Sequence, residues 1–405
     1  MRLEKPNDGT IRPPPEILLP VSHDWEALGT GGGIGTFLKA FLRLASEWNL
    51  QVTVLCAGAR EASRGSVHYL PIMSCAPTEL AFVRRLRRLL VTGEISLPKS
   101  AVVFANTEHY AWAFRGLGLP IVLMSHGVIS ETLRMRYSKP FVNLYRFLIE
   151  RYAVAHACSV VVVNADLKNY YLERYPKLPR STIHIVPIGV DLPDLEERPR
   201  SNPFATFMPE PRGDVILFVG RLYPEKNLPL FLKACDNLKQ RGDRFEAVVI
   251  GDGIESDAVV NAMPSRRWLH WIPKMSRSEV LDAMALARVL VICSRYEAGP
   301  LVLLEALGLG TAVVTTNVGR ARELVADGLG QVVNSDPDSF SDAIHDVLSQ
   351  SSLFARQGRQ RIWERIDFQD TMGSLFGILQ SAGRVSGKAL ALQNQGELVR
   401  EEPRL

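Results

Sequence analysis

Residues 214–227 read DVILFVGRLYPEKN: an almost unbroken apolar run, then Gly220-Arg221, then a turn into a stretch with helical apolar spacing that lasts to residue 240. An apolar run without alternation predicts a strand covered on both faces. The helix that follows makes it one β–α unit of a parallel sheet. Working outward, similar runs recur at 246–250, 289–293 and 312–315 downstream, and at 16–21, 51–56, 101–105, 120–124, 159–163 and 183–186 upstream. Amphipathic stretches such as 35–48, 226–240 and 276–287 lie between them. Two such series predict an α/β chain of two doubly wound, Rossmann-like domains facing across a cleft. The break between them falls at 193–212 (PDLEERPRSNPFATFMPEPR), rich in Pro and charge and without an apolar period. The expected organisation is a first domain over 1–192, a linker over 193–212 and a second domain over 213–368. A helix over 369–382 is expected to return to the first domain, and 383–405 reads as a polar tail.

Composition bounds the function. With 405 residues, 46% hydrophobic and 22% charged, the chain has too much apolar content for disorder and enough length for two cores. No run reaches the roughly 18 apolar residues of a spanning helix. The first 24 residues carry prolines and acids where a signal peptide needs a continuous apolar stretch, so a cytoplasmic protein is expected. Five scattered cysteines (Cys56, Cys75, Cys158, Cys235, Cys293) form no C-x-x-C, which excludes a zinc ribbon and a dense disulfide framework. Residues 1–200 carry a net charge of +6 and residues 201–405 one of −2. The positive half is therefore expected to meet an anionic partner. Basic and aromatic residues do not interleave, so no nucleic-acid partner is expected.

Four motifs follow strands, where open parallel sheets bind ligands. Gly29 to Thr36 (GTGGGIGT) lets backbone approach a ligand before a helix N-terminus, with Gly32 and Gly33 central. It fits neither G-x-G-x-x-G nor a Walker loop. Gly220 and Arg221, with Lys226, place two cations beside a helix start, an arrangement suited to a diphosphate. Ser294 to Glu305 (SRYEAGPLVLLE) sets Glu297 in a loop, Pro300 at a helix start and Glu305 inside an apolar helix. A buried acid there needs a donor, for which a ligand hydroxyl is one answer. Met124-Ser125-His126-Gly127 brings a histidine to a strand end, placed to reach the cleft, although a lone histidine is more often structural.

Taken in order, the Gly-rich loop, Ser125-His126-Gly127, Val186-Pro187-Ile188-Gly189-Val190-Asp191, G-R-L-x-x-E-K-N and E-A-G-P-L-V-L-L-E resemble the retaining glycosyltransferases of family 4, of GT-B fold, over residues 16–382. The resemblance implies a metal-independent enzyme that moves a hexose from a nucleoside-diphosphate sugar to a hydroxyl acceptor, in polysaccharide, lipid-linked or small-molecule glycoside synthesis. It implies no cofactor beyond that co-substrate. Arg221 and Lys226 would neutralise the leaving diphosphate, with Gly220 beside them, and Glu297 would bind sugar hydroxyls. Backbone N–H groups over Gly299, Pro300, Leu301 and Val302 would help hold sugar or phosphate. Glu305 would meet the ribose, Gly32 and Gly33 the donor phosphate or acceptor, and His126 the sugar near the reacting carbon. Two positions depart from the pattern: Ile188 stands where Asn is common, and His270 where Gly is frequent, near the expected nucleobase.

Two other functions share the fold: a catalytically degenerate partner subunit and a nucleotide-sugar epimerase. Asp336-Pro337-Asp338 has the spacing of a metal-binding pair but falls late, beside a peripheral helix. Residues 79–92 (ELAFVRRLRRLLVT) form a basic amphipathic helix. It could dock on an anionic membrane at the inner face of the cell, or simply present a charged solvent face.

Overall fold

The structure, a computed structural model, describes residues 15–24, 32–75, 78–128, 140–190, 195, 202–205, 214–325, 330–349 and 368–394. Two sheets organise them. The first contains β1 (Ile17–Asp24), β2 (Val52–Ala57), β3 (Ala62–Arg64), β4 (Val67–Met73), β5 (Val102–Ala105), β6 (Ile121–Ser125), β7 (Ser159–Val162) and β8 (Ile183–Ile185). Their order is β3-β4-β2-β1-β5-β6-β7-β8, parallel except for β3 against β4. The second contains β9 (Asp214–Val219), β10 (Phe245–Ile250), β11 (Leu269–Ile272), β12 (Val289–Ile292), β13 (Ala312–Thr315) and β14 (Gly330–Val332). Its order is β11-β10-β9-β12-β13-β14, all parallel.

The central strands are the continuous apolar runs, and they are buried on both faces: β5 and β12 have no exposed residue. In each sheet, strand order reverses beside the first strand, between β1 and β5 and between β9 and β12. Crevices open at such switch points, and the two face each other. The floor of the second is tight. Gly251 follows β10 at φ 133°, and a Cβ there would lie 2.0 Å from the Gly220 carbonyl oxygen, so no larger residue fits.

Several expected boundaries shift. The helix foreseen over 35–48 begins earlier, spanning Gly32–Glu47, so Gly32 and Gly33 stand in its first turn rather than in the loop before it. Gly29, Thr30 and Gly31 lie outside the described residues. Of the linker, residue 195 and residues 202–205 are described. Leu195 and Phe204 are buried in the second-domain core, which gives that segment apolar anchors its composition conceals. The last helix spans Phe368–Asn394, so it runs on through 383–394, where the sequence predicts a polar tail. At Gly383 the helix passes close to Pro15: a Cβ there would stand 2.5 Å from it. Phe368, Met372, Phe376 and Leu379 join the core of the first domain, with the Phe376 ring 4.9 Å from that of Phe41. Residues 395–405 lie outside the described residues.

Among the described residues, no helix is long and apolar enough to cross a membrane. The basic helix Glu79–Thr92 buries its apolar side, Phe82, Val83, Leu86, Leu89 and Leu90, in the first-domain core. Arg87 turns inward to donate to the Ala113 carbonyl at 3.3 Å, leaving Arg84 and Arg88 exposed.

Candidate active site

A cleft of about 700 Å³ separates the domains, within the size range of small-molecule sites. Every site residue expected from sequence lines it except Gly32, which sits one residue before the lining Gly33, and Gly220 is among them.

The second-domain wall rests on two loops tied together. Arg295, after β12, donates from its backbone to the Glu225 carbonyl at 2.8 Å and from its guanidinium to Asn227 Oδ1 at 3.1 Å. Asn227 holds φ 55°, a left-handed conformation Asn tolerates better than most side chains, and there it starts helix Leu228–Gln240. This clamp sets Lys226 against Glu297: Lys226 Nζ donates to Glu297 Oε1, which also accepts from Ser294 Oγ at 3.0 Å. Arg221 is exposed to the cleft, its guanidinium carbon 5.7 Å from the centre of the Tyr223 ring. Pro300 precedes helix Leu301–Leu309, whose first residues, Leu301 and Val302, line the same space, and N–H groups at a helix start lack partners within the helix.

Glu305 corrects an expectation. Its donor is Arg277, from the start of helix Arg277–Leu286, which also reaches Thr36 Oγ1 of the first domain at 3.4 Å. The Glu305 side chain is 4% exposed, so this ion pair satisfies a charge that would otherwise be costly to bury. His270 is a second correction. It pairs with Glu246 on the neighbouring strand at 2.8 Å, and the cleft wall beyond β11 is made by Pro273, Lys274 and Met275. A third concerns charge: the cations lining the cleft, Arg221, Lys226, Lys274 and Arg277, all come from the half whose net charge is negative. Asp336 is a helix cap, accepting from the Ser339 N–H at 2.8 Å and from Ser339 Oγ at 2.7 Å.

The first-domain wall has a different chemistry. His126 follows β6, its ring edge-on to Phe37 at 5.2 Å, and its Nε2 is buried with no hydrogen-bond partner among the described residues. Burial lowers its pKa to about 4, so the imidazole is neutral near pH 7. Asn106 and Thr107, directly after β5, line the cleft with Oδ1 and Oγ1 buried and unpartnered among the described residues. These two were not singled out from sequence, although their place after a central strand was the available signal. Next to them Glu108, 2% exposed, also lines the cleft.

Direct contacts join the two walls. Val128 N–H donates to the Tyr296 hydroxyl at 2.7 Å, and Asn164 Nδ2 to the Ala298 carbonyl at 2.6 Å. A Cβ on Gly33 would meet Leu301 at 3.6 Å, and one on Gly299 would meet Ile188 at 3.4 Å. The S-H-G loop and the E-A-G-P loop are thus packed against each other, with His126 and Glu297 on neighbouring segments.

The family model described as Glycosyltransferase Family 4 matches residues 31–193, and that described as Glycosyl transferases group 1 matches 207–362. The chain is 29% identical over 273 residues to a D-inositol 3-phosphate glycosyltransferase of Geodermatophilus obscurus, across 63% of this chain but 59% of that protein. It is 26% identical over 359 residues to an alpha-maltose-1-phosphate synthase of Mycolicibacterium smegmatis, across 83% of this chain and 89% of the other. The solved structure of Anabaena HepE in complex with UDP-glucose superposes with a TM-score of 0.69 at 16% identity, covering 90% of this chain and 99% of that one.

Proposed function

The chain belongs to the family 4 glycosyltransferases of GT-B fold, and on that premise we propose that it transfers a hexose from a nucleoside-diphosphate sugar to a hydroxyl acceptor, with retention and without a divalent metal. One observation carries the reading: Arg221 and the Lys226–Glu297 pair stand on loops at the carboxyl ends of β9 and β12, on the opposite wall from His126. A leaving diphosphate needs fixed positive charge where its own charge develops. Arg221, Lys226 and the N–H groups of Leu301 and Val302 supply it, and Lys226 exchanges part of its contact with Glu297 for phosphate oxygens. Glu297 then meets the sugar hydroxyls. Glu305, held by Arg277, faces the ribose with a fixed carboxylate.

On the other wall, neutral His126 reads a sugar hydroxyl near the reacting carbon, while Asn106 and Thr107 accept from acceptor hydroxyls. A UDP-hexose is the first donor to try, because HepE was solved with UDP-glucose. Proton NMR of the first-formed product, in buffer with chelator, tests the whole reading. Transfer with the donor's anomeric coupling kept is expected. Inversion, or activity only after magnesium is restored, would overturn it. Binding of UDP-hexose without transfer or hydrolysis would favour a non-catalytic partner subunit.

We place the protein in the cytoplasm. Any contact of helix Glu79–Thr92 with an anionic membrane is electrostatic, through Arg84 and Arg88, because its apolar side is already in the core. Co-sedimentation with phosphatidylglycerol vesicles that survives Arg84→Glu with Arg88→Glu would reject that contact.

A further inference from the structure

Beneath the S-H-G loop lies a buried polar cluster that the proposed transfer does not use directly. Glu108, the first residue of helix Glu108–Ala113, places Oε1 3.2 Å from the Tyr171 hydroxyl and 3.4 Å from Ser125 Oγ. Tyr171 lies 2.9 Å from Ser125 Oγ, and Ser125 Oγ lies 3.2 Å from the carbonyl oxygen of Gly127. Two hydroxyl hydrogens therefore have three acceptors to serve. If Glu108 is ionised, one link goes unmade whichever way the two hydroxyls turn: at the carboxylate, between Tyr171 and Ser125, or at the Gly127 carbonyl. If Glu108 carries a proton, the count closes: Glu108 donates to Tyr171, Tyr171 to Ser125, and Ser125 to Gly127. Every link is then made, in one direction, and it ends on the peptide that joins His126 to Val128.

We infer that Glu108 works as a neutral carboxylic acid, the head of a hydroxyl relay that holds the S-H-G loop and so positions His126 and the Val128 N–H that meets Tyr296. Glu108 is a positioning residue, and the inference rests on the reading of His126 as a sugar contact.

The surroundings favour the proton. Burial pushes the Glu108 carboxyl up to about 7, outweighing the hydrogen bond from its own backbone N–H and those from Tyr171 and Ser125, which lower it; the nearby charge of Glu150 on helix Pro140–His156 adds to the rise. Glu150 itself accepts from Tyr170 and Tyr175 at 3.1 and 2.9 Å and is 3.4 Å from Arg174, all on or directly after helix Ala165–Arg174. That cation is therefore committed to Glu150. Tyr171 is held neutral by burial. His109, the next residue, stands 3.5 Å from Glu79, and His126 is neutral.

The sign follows. A carboxyl whose folded pKa is raised makes the folded state bind more protons between its unfolded value of about 4.3 and about 7, so stability is lost as pH rises through that window. Glu108→Gln keeps a donor but cannot ionise. Its melting temperature is expected to rise relative to that of wild type from pH 4.5 to pH 7 and to hold that gap above it. In donor hydrolysis, Glu108→Gln should stay within twofold of wild type at pH 6 and lack the decline wild type shows above pH 7. Glu108→Ala, with no donor, should lose tenfold or more at every pH. A melting-temperature gap that does not change with pH would overturn the proposal. So would Glu108→Gln losing as much hydrolysis as Glu108→Ala at pH 6. If wild type hydrolyses no nucleotide sugar, the transfer reading fails by itself while the melting series still decides the protonation of Glu108.

Discussion

The two walls of the cleft are built on opposite electrostatic plans. On the second-domain wall, charges are paired before any ligand arrives: Lys226 with Glu297, and Arg277 with Glu305. On the first-domain wall, Asn106 Oδ1, Thr107 Oγ1 and His126 Nε2 are buried, neutral and without partners among the described residues. The difference teaches a division of labour. A wall that receives a permanent polyanion needs cations fixed in place, and carboxylate neighbours hold Lys226 and Arg277 in their rotamers. A wall that receives hydroxyls needs unspent hydrogen-bonding atoms, which recover their desolvation cost only when a ligand arrives.

The largest expected effect tests the paired wall. Arg277→Ala leaves Glu305 charged and enclosed, and should cost about 3 kcal/mol of stability. Chemical denaturation reads this directly, and an unchanged midpoint would mean that the pair is not what keeps Glu305 in place. Next comes Lys226→Ala. Losing one charge-assisted contact to diphosphate costs about 1.5–3 kcal/mol, roughly a tenfold to hundredfold fall in kcat/KM. Steady-state kinetics with an intact melting curve would separate this loss from misfolding.

Smaller effects belong to the other wall. Thr107→Val should raise the acceptor KM about fivefold, for about 1 kcal/mol, and leave the donor KM unmoved. A change confined to the donor would reverse the assignment of the two walls. Least visible near neutrality is His126. Its folded pKa of about 4 lies below the ordinary value, so the folded state binds fewer protons and stability is lost as pH falls from 6.5 to about 4. His126→Gln should flatten the melting-temperature curve in that window and change nothing above pH 7.5. A curve that keeps its slope would show that His126 is not the titrating group.

The central strands were legible because burial on both faces leaves an unbroken apolar run, as in β9 and β12. β3, β4, β11 and β14 escaped notice because strands at or beside a sheet edge are covered less completely. The buried positions of β4 alternate with half-buried ones, and β14 is three residues, Gly330–Val332. The motifs for Arg221, Lys226, Glu297 and Glu305 were readable because each sits at fixed spacing beside a strand end. Their partners were not. Arg277 and Glu305 are 28 positions apart and meet only because two helices pack side by side. The half-chain charge also misled, because a net value sums over solvent-facing residues, whereas a cleft responds to the few that line it. Asn106 and Thr107 carry no motif at all, and their importance appears only once burial shows their polar atoms unspent.

Calorimetric titration of UDP in buffer with chelator, on wild type, Lys226→Ala and Asn106→Ala, tests the division between the walls most directly. Wild type should bind without metal, Lys226→Ala should bind at least tenfold more weakly, and Asn106→Ala should match wild type. Binding that requires magnesium, or an Asn106→Ala loss as large as that of Lys226→Ala, would contradict it.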